Sequence, residues 1–210
     1  MKKRFLGSRS PCSKIIHFTS VKCNEIKFCE SKLEYDRLLA LEFDPTVKFY
    51  EAQPSPIPYT HENGLVTRYT PDLCVTLIND IRHIEGIKPF KRSIEPHMLR
   101  KHALIKEQYS ELGFDFKVIT ERDFDIGASI ANYRKLYRFL TEPPSLDLIQ
   151  RFTREFPSFR CSLHQLRQEM QCRKYEPHEL NLLMAHGYVQ FNFQLEINDN
   201  LEVFCNERTI

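Results

Sequence analysis

The stretch between residues 47 and 119 most constrains what this chain can fold into. Strand-like segments follow one another at 47–50, 65–69, 73–78 and 82–87; a helical stretch then covers 94–112, and one more strand is expected over 114–119. Glu62-Asn63-Gly64 carries the Asn-Gly signal of a tight hairpin turn, and Asn79-Asp80 turns the chain between the third and fourth strands. Gln53-Pro54-Ser55-Pro56-Ile57-Pro58-Tyr59 reads as an extended edge segment, because its prolines cannot fill a central ladder. Gly113 ends the helix before the last strand. Strands, then a helix, then a further strand make an α/β domain: a mixed sheet with flanking helices.

On the N-terminal side, residues 15–18 are a candidate short strand. Ser31 is a candidate cap for a helix running to about Phe43, with Leu38, Leu39 and Leu41 as apolar surface, and Asp44-Pro45 stops it. The first domain is therefore expected over 1–125. Residues 126–210 read as a separate module. Helical signals cover 132–140, 146–156, 163–172 and 177–184; then 188–193 alternates apolar and polar, Asn198-Asp199-Asn200 turns, and 201–204 returns. The last three of these helices followed by a hairpin make a winged-helix pattern.

Within the first domain, Asp72 opens a strand after Pro71, Glu85 and Lys88 lie on the next strand, and Glu34 sits on the early helix one turn after Glu30. A carboxylate on a rigid element is what a hard divalent cation requires. Two acids meeting across a core repel one another without a cation, and a nearby lysine stabilises negative charge or helps orient an attacking water. Glu34, Asp72, Glu85 and Lys88 are thus candidates for metal-dependent phosphodiester hydrolysis, with Glu34, Asp72 and Glu85 as metal ligands. Each also has a plainer reading: a solvated helix glutamate paired with Lys32 or Arg37, a turn aspartate, a strand-end lysine. Strict alternation puts Lys88 on the face of Gly86 and Glu85 on the other. A bulge at Gly86 is expected to return Glu85 to the Lys88 face; without it the site rests on Glu34, Asp72, a main-chain carbonyl and Lys88. Gln53, near the same edge, is a candidate contact to DNA or to a carboxylate.

Charge and cysteines narrow the class. The net charge of +2 is too weak to argue for nucleic acid, but residues 1–30 hold seven Lys or Arg against two acids. That makes residues 1–27 a basic arm, with Lys2, Lys3, Arg4 and Arg9 as candidate phosphate contacts; a solvated tail is the alternative. The last fifteen residues carry four acids and one Arg. The seven cysteines form no Cys-x-x-Cys pair and the eight histidines no paired ligand spacing, which argues against structural zinc and for reduced thiols in the cytoplasm. No apolar run approaches the roughly 18 residues of a membrane span, and no signal peptide is expected.

The order and spacing of these residues resemble the PD-(D/E)xK nucleases. More narrowly, Ser31-Lys32-Leu33-Glu34, Val47 with Gln53-Pro54, Arg68-Tyr69-Thr70-Pro71-Asp72 and residues 84–89 look like TnsA, the endonuclease subunit of heteromeric transposases; residues 183–192 resemble that family's second domain. The resemblance implies a restriction-endonuclease-like domain followed by a winged helix. It implies Mg²⁺-dependent nicking, with Mn²⁺ able to substitute, of the non-transferred strand at the 5′ ends of a transposon. The expected partners are DNA, a TnsB-type transposase that processes the 3′ ends and a TnsC-type AAA+ regulator. Glu34, Asp72 and Lys88 match the family's acid, aspartate and lysine. Its Glu or Gln two residues before the lysine is Gly86 here. The rival expectations are another nuclease of the same fold and a catalytically silent adaptor bridging transposase and regulator.

Overall fold

The structure is a computed structural model that describes residues 15–61 and 64–205. The chain forms two compact units, Met1–Asp123 and Phe124–Ile210.

The first unit opens with an antiparallel hairpin of β1 (Ile16–Ser20) and β2 (Glu25–Cys29). The second of these strands escaped the sequence reading because its inward residues include a lysine. Lys27 is only 5% exposed, and its ammonium is held by the Tyr50 carbonyl at 3.0 Å and by Glu25. Ser31 then caps α1 (Lys32–Phe43), its hydroxyl accepting the Glu34 N–H at 3.2 Å. Leu38, Leu39 and Leu41 are fully buried, each stabilising the fold by about 2 kcal/mol relative to an exposed leucine. Glu42, at the end of the same helix, is buried as well. It accepts from the Ser20 hydroxyl, the Val21 and Lys22 N–H groups and the Tyr50 hydroxyl, which ties the first hairpin to the helix.

After α1 come β3 (Val47–Ala52), β4 (Ile57–Thr60), β5 (Val66–Tyr69), β6 (Leu73–Leu77) and β7 (Arg82–Ile87), then a helical turn α2 (Phe90–Ser93), the long α3 (Pro96–Glu111), β8 (Asp115–Ile119) and the short α4 (Glu121–Phe124). β4 and β5 pair as a separate antiparallel hairpin. The main sheet has the order β3-β6-β7-β8, antiparallel except for β7 and β8, which run parallel with α3 as their crossover. This is the mixed sheet with flanking helices expected from the order of the segments. Tyr59 and Tyr69 of the small hairpin, Cys74 and Ile84 of the sheet, Ile105 and Tyr109 of α3 and Phe116 of β8 form one buried cluster on one face of the sheet.

The bulge expected at Gly86 is absent. Leu73↔Glu85 continues to Thr76↔Arg82 without a shift, and on the other edge His83↔Asp115 continues to Ile87↔Ile119. The β8 register runs through Gly86↔Val118 without a shift, which leaves no room for an extra residue, so alternation stands and Glu85 points away from the Gly86 face.

The second unit contains α5 (Ser129–Leu140), α6 (Leu146–Glu155), β9 (Phe159–Ser162), α7 (Leu163–Cys172), α8 (Pro177–Ala185), β10 (Gln190–Phe191) and β11 (Glu202–Cys205). Its three strands are antiparallel in the order β10-β11-β9. The sequence reading missed β9, whose four residues alternate too briefly to register, and expected a longer strand where β10 spans two residues. Asn132 on α5 is fully buried and pins the segment after β10, donating to the carbonyls of Phe193 at 2.8 Å and Leu195 at 2.6 Å.

Candidate active site

Four elements bring polar side chains to one end of the first unit. α1 contributes Glu34 from its first turn, the end of β3 contributes Gln53, the residue before β6 is Asp72, and Lys88 follows the end of β7. Glu34, Gln53, Asp72 and Ile87 line one cleft together with Phe28, Cys29, Leu38, Ala52 and Leu73. Gln53 adopts φ +49°, a left-handed conformation that costs energy for a non-glycine residue, and its N–H donates to the Asp72 carbonyl at 2.9 Å. Its side-chain amide reaches the Glu30 carboxylate at 3.4 Å.

Asp72 replaces a rung of the sheet ladder. Its Oδ2 accepts the Ile87 N–H at 2.6 Å and the Lys88 ammonium at 3.0 Å, and the same ammonium donates to the Ile87 carbonyl at 2.7 Å. Both of those bonds fall on one carboxylate oxygen, so the lysine holds the aspartate without occupying Oδ1. Glu34 is held from its own helix end, Oε2 accepting the Glu30 N–H and Oε1 the Ser31 hydroxyl, both at 2.8 Å. Burial pushes the Glu34 carboxyl above the usual carboxylate range; its two hydrogen bonds oppose the shift, and the negative charge of Asp72 adds to it. Two carboxylates share one cleft, and burial and the charge of Asp72 both disfavour the ionised form of Glu34, a penalty that a cation would relieve.

Glu85 is not part of this cleft. Its carboxylate is fully buried, accepts the Arg37 guanidinium in a fork at 2.9 and 2.5 Å, and lies 2.9 Å from His83 Nε2. Burial pushes its pKa up, but the His83 and Arg37 hydrogen bonds and charges outweigh that and hold it below the usual carboxylate range. The expectation that Glu85 returns to the Lys88 face is therefore corrected: without the bulge it is directed to α1, where it anchors Arg37. The structure thus brings together Glu34, Asp72 and Lys88 and leaves Glu85 out. The partners Arg37 and His83 were missed by the sequence reading: Arg37 lies 48 residues from Glu85, and His83, although two residues away on the same strand face, carries no spacing that marks an ion pair. Lys2, Lys3, Arg4 and Arg9 lie outside the described residues.

Among the described residues no three His, Cys, Asp or Glu side chains gather as a metal cage. Mg²⁺ does not need one, because it commonly uses one or two carboxylates and keeps several waters. The donor set of Glu34 and Asp72 has the hard oxygen chemistry and the excess negative charge that suit this ion.

Residues 44–121 match the family model described as the TnsA-like endonuclease N-terminal domain. The chain carries a TnsA-like endonuclease domain. The match supports a nuclease of Tn7-like transposition and agrees with the mixed sheet and its helices. It contains Asp72, Gly86 and Lys88, whereas Glu34 precedes it. A comparison with curated proteins gives no match. No helix among the described residues is long and apolar enough to cross a membrane.

Proposed function

We propose that this TnsA-like protein is a metal-dependent DNA endonuclease that nicks the non-transferred strand at the 5′ ends of a transposon, acting with a TnsB-type transposase and a TnsC-type regulator. The observation that carries the reading is the convergence of Glu34, Asp72 and Lys88 from three elements at one edge of a TnsA-like domain. Glu34 and Asp72 would hold Mg²⁺, or Mn²⁺ in its place, which supplies Lewis-acid activation of water and of the scissile phosphate. Lys88, fixed on Asp72 and on the Ile87 carbonyl, keeps the aspartate oriented and offers positive charge where the phosphorane builds negative charge.

The second unit is read as a winged helix. Its order of α6, β9, α7, α8, β10 and β11, with β11 between the other two strands, supports that topology. α8, in the place of a reading helix, holds His178 and Glu179 but no Lys or Arg, and the segment 192–201 carries Glu196 and Asp199 without a basic residue. Such a surface favours protein over phosphate, so this unit is assigned to partner contact and end recognition to the transposase.

A silent adaptor is the second reading, favoured by the glycine at position 86. Strand-specific cleavage of transposon-end DNA in Mg²⁺ or Mn²⁺, with the cognate transposase present, separates the two. Loss of only the 5′-strand cut in Asp72→Ala is the expected result; an unchanged cutting pattern would transfer the chemistry elsewhere and leave the adaptor.

A further inference from the structure

Positive charge is concentrated in the stretch that follows β7. Residues 88–106 hold Lys88, Lys91, Arg92, Arg100, Lys101 and Lys106 against Glu95 alone, a charge of +5 in a chain whose net charge is +2. The single acid, Glu95, lies 3.5 Å from His97 Nε2. Lys91, Arg92, Arg100 and Lys106 are exposed, and none of them pairs with an acid among the described residues. A merely solvated face intersperses the two signs, and this one does not.

The same stretch is fixed beside the candidate site. α2 begins two residues after Lys88, whose N–H donates to the Ile119 carbonyl at 2.9 Å. The Phe90 N–H donates to the Glu121 carboxylate at 2.9 Å, and the Arg122 guanidinium lies 3.4 Å from the Phe90 ring centroid. On α3, the Lys101 ammonium lies 5.9 Å from the ring centroid of Tyr59 and 5.6 Å from that of Tyr69. The Tyr69 hydroxyl in turn rests against Gly86, 2.5 Å from where a Cβ would stand, and alternation places Lys88 on the face of Gly86. One link through the end of β8 and another through the tyrosine of β5 thus hold α2 and α3 next to Lys88. Duplex DNA carries a phosphate about every 3.4 Å along each strand, and cleavage needs the backbone flanking the cut held in place. Unpaired guanidinium and ammonium groups beside Lys88 supply that hold without reading bases.

We propose that the α2–α3 surface, through Lys91, Arg92 and Arg100, grips the phosphate backbone of the duplex next to the cut, while end recognition stays with the transposase. The inference deepens the endonuclease reading and rests on it for the identity of the ligand.

The test uses the full chain, the double variant Lys91→Gln/Arg92→Gln, a triple variant that adds Arg100→Gln, and Lys48→Gln as a control. All four positions are exposed, so melting temperatures are expected to stay at the wild-type value. Anisotropy of labelled transposon-end and unrelated duplexes of equal length is titrated in EDTA over a range of NaCl. Single-turnover nicking with the cognate transposase is measured separately in Mg²⁺ or Mn²⁺. The slope of log K against log[NaCl] is expected to shrink by about 0.9 per contact removed, so by about 2 in the double and about 3 in the triple variant, alike on both duplexes. Lys48→Gln is expected to keep the wild-type slope. Unchanged slopes in both variants, from a wild type that binds and nicks, overturn the surface and leave the endonuclease reading standing. Unchanged slopes with lost capture of the transposase overturn it in favour of a protein interface, and a wild type without salt-dependent binding overturns it outright. The expected slopes from a wild type that nicks in neither ion overturn the endonuclease reading instead, and the grip is then that of an adaptor.

Discussion

Removing Glu85 should unfold the first unit before it affects the chemistry directly. The carboxylate is inaccessible to solvent and accepts a two-bond fork from the Arg37 guanidinium, which is itself 14% exposed. Deleting one partner of a buried ion pair removes much of the compensation for the other charge, at a cost of about 3–5 kcal/mol. Glu85→Ala also leaves His83 Nε2 without its 2.9 Å contact. For a unit of this size each kcal/mol lowers the melting temperature by about 3–5 °C, so the drop should be about 10–25 °C. Replacing both partners by apolar residues of similar volume, as in Arg37→Met/Glu85→Leu, should recover most of it, because no charge is then buried alone. The same pairing should appear in the pH profile. The folded-state pKa of Glu85 lies below its unfolded value, so its stabilisation is fully present above the unfolded carboxylate pKa, about 4.3, and is lost as pH falls through the folded value. Urea unfolding from pH 7 to pH 3 measures both the loss and its slope. The anchoring role of Glu85 is refuted if Glu85→Ala costs under about 1 kcal/mol. It is equally refuted if Glu85→Gln keeps its stability but loses the cation-dependent melting shift, since that is the behaviour of a metal ligand rather than of an anchor for α1.

In EDTA, Glu34 should act with the opposite sign. Its carboxyl is raised by burial and then by Asp72, so its stabilisation is greatest below the unfolded pKa and is lost as pH rises through the folded value. Glu34→Gln should flatten that loss in a pH-dependent melt, and a steeper profile would contradict the site. His102 is buried, its Nε2 has no hydrogen-bond partner among the described residues, and burial followed by the charges of Lys88 and Lys101 lowers its pKa to about 4. It stays neutral while the unfolded histidine protonates, so stability falls as pH drops from about 6.5 through about 4, and His102→Phe should make that fall shallower. Ser31→Ala should cost about 1 kcal/mol by removing the cap of α1, visible in urea, and should weaken the cation-dependent shift because Glu34 loses its 2.8 Å bond. Gly127 holds φ +60° with the Gln194 carbonyl 2.3 Å from where a Cβ would stand. Gly127→Ala should destabilise the second unit by more than about 1 kcal/mol while leaving the cation-dependent shift of the first unchanged, as limited proteolysis and melting would show.

The segments that repeat a period were legible in the sequence. The apolar pattern of β6 and β7, the Ser31 cap with the Asp44-Pro45 stop of α1, and Gly113 after α3 are local signals, settled by neighbours within a few residues, and they determined the mixed sheet and the place of Asp72 and Lys88 at its edge. What they did not determine is which side of the sheet each acid serves. Glu85 is one residue from the motif position, and its role turned on whether β7 bulges. That was decided by pairing with β8, where Gly86 lies opposite Val118, 32 residues further along the chain. The ion pair of Arg37 with Glu85, the buried Lys27 that hid β2, and the Tyr69 hydroxyl resting on Gly86 share this origin. Each depends on contacts distant in sequence, where burial makes a charge or a donor choose its partner, and only tertiary packing sets that choice.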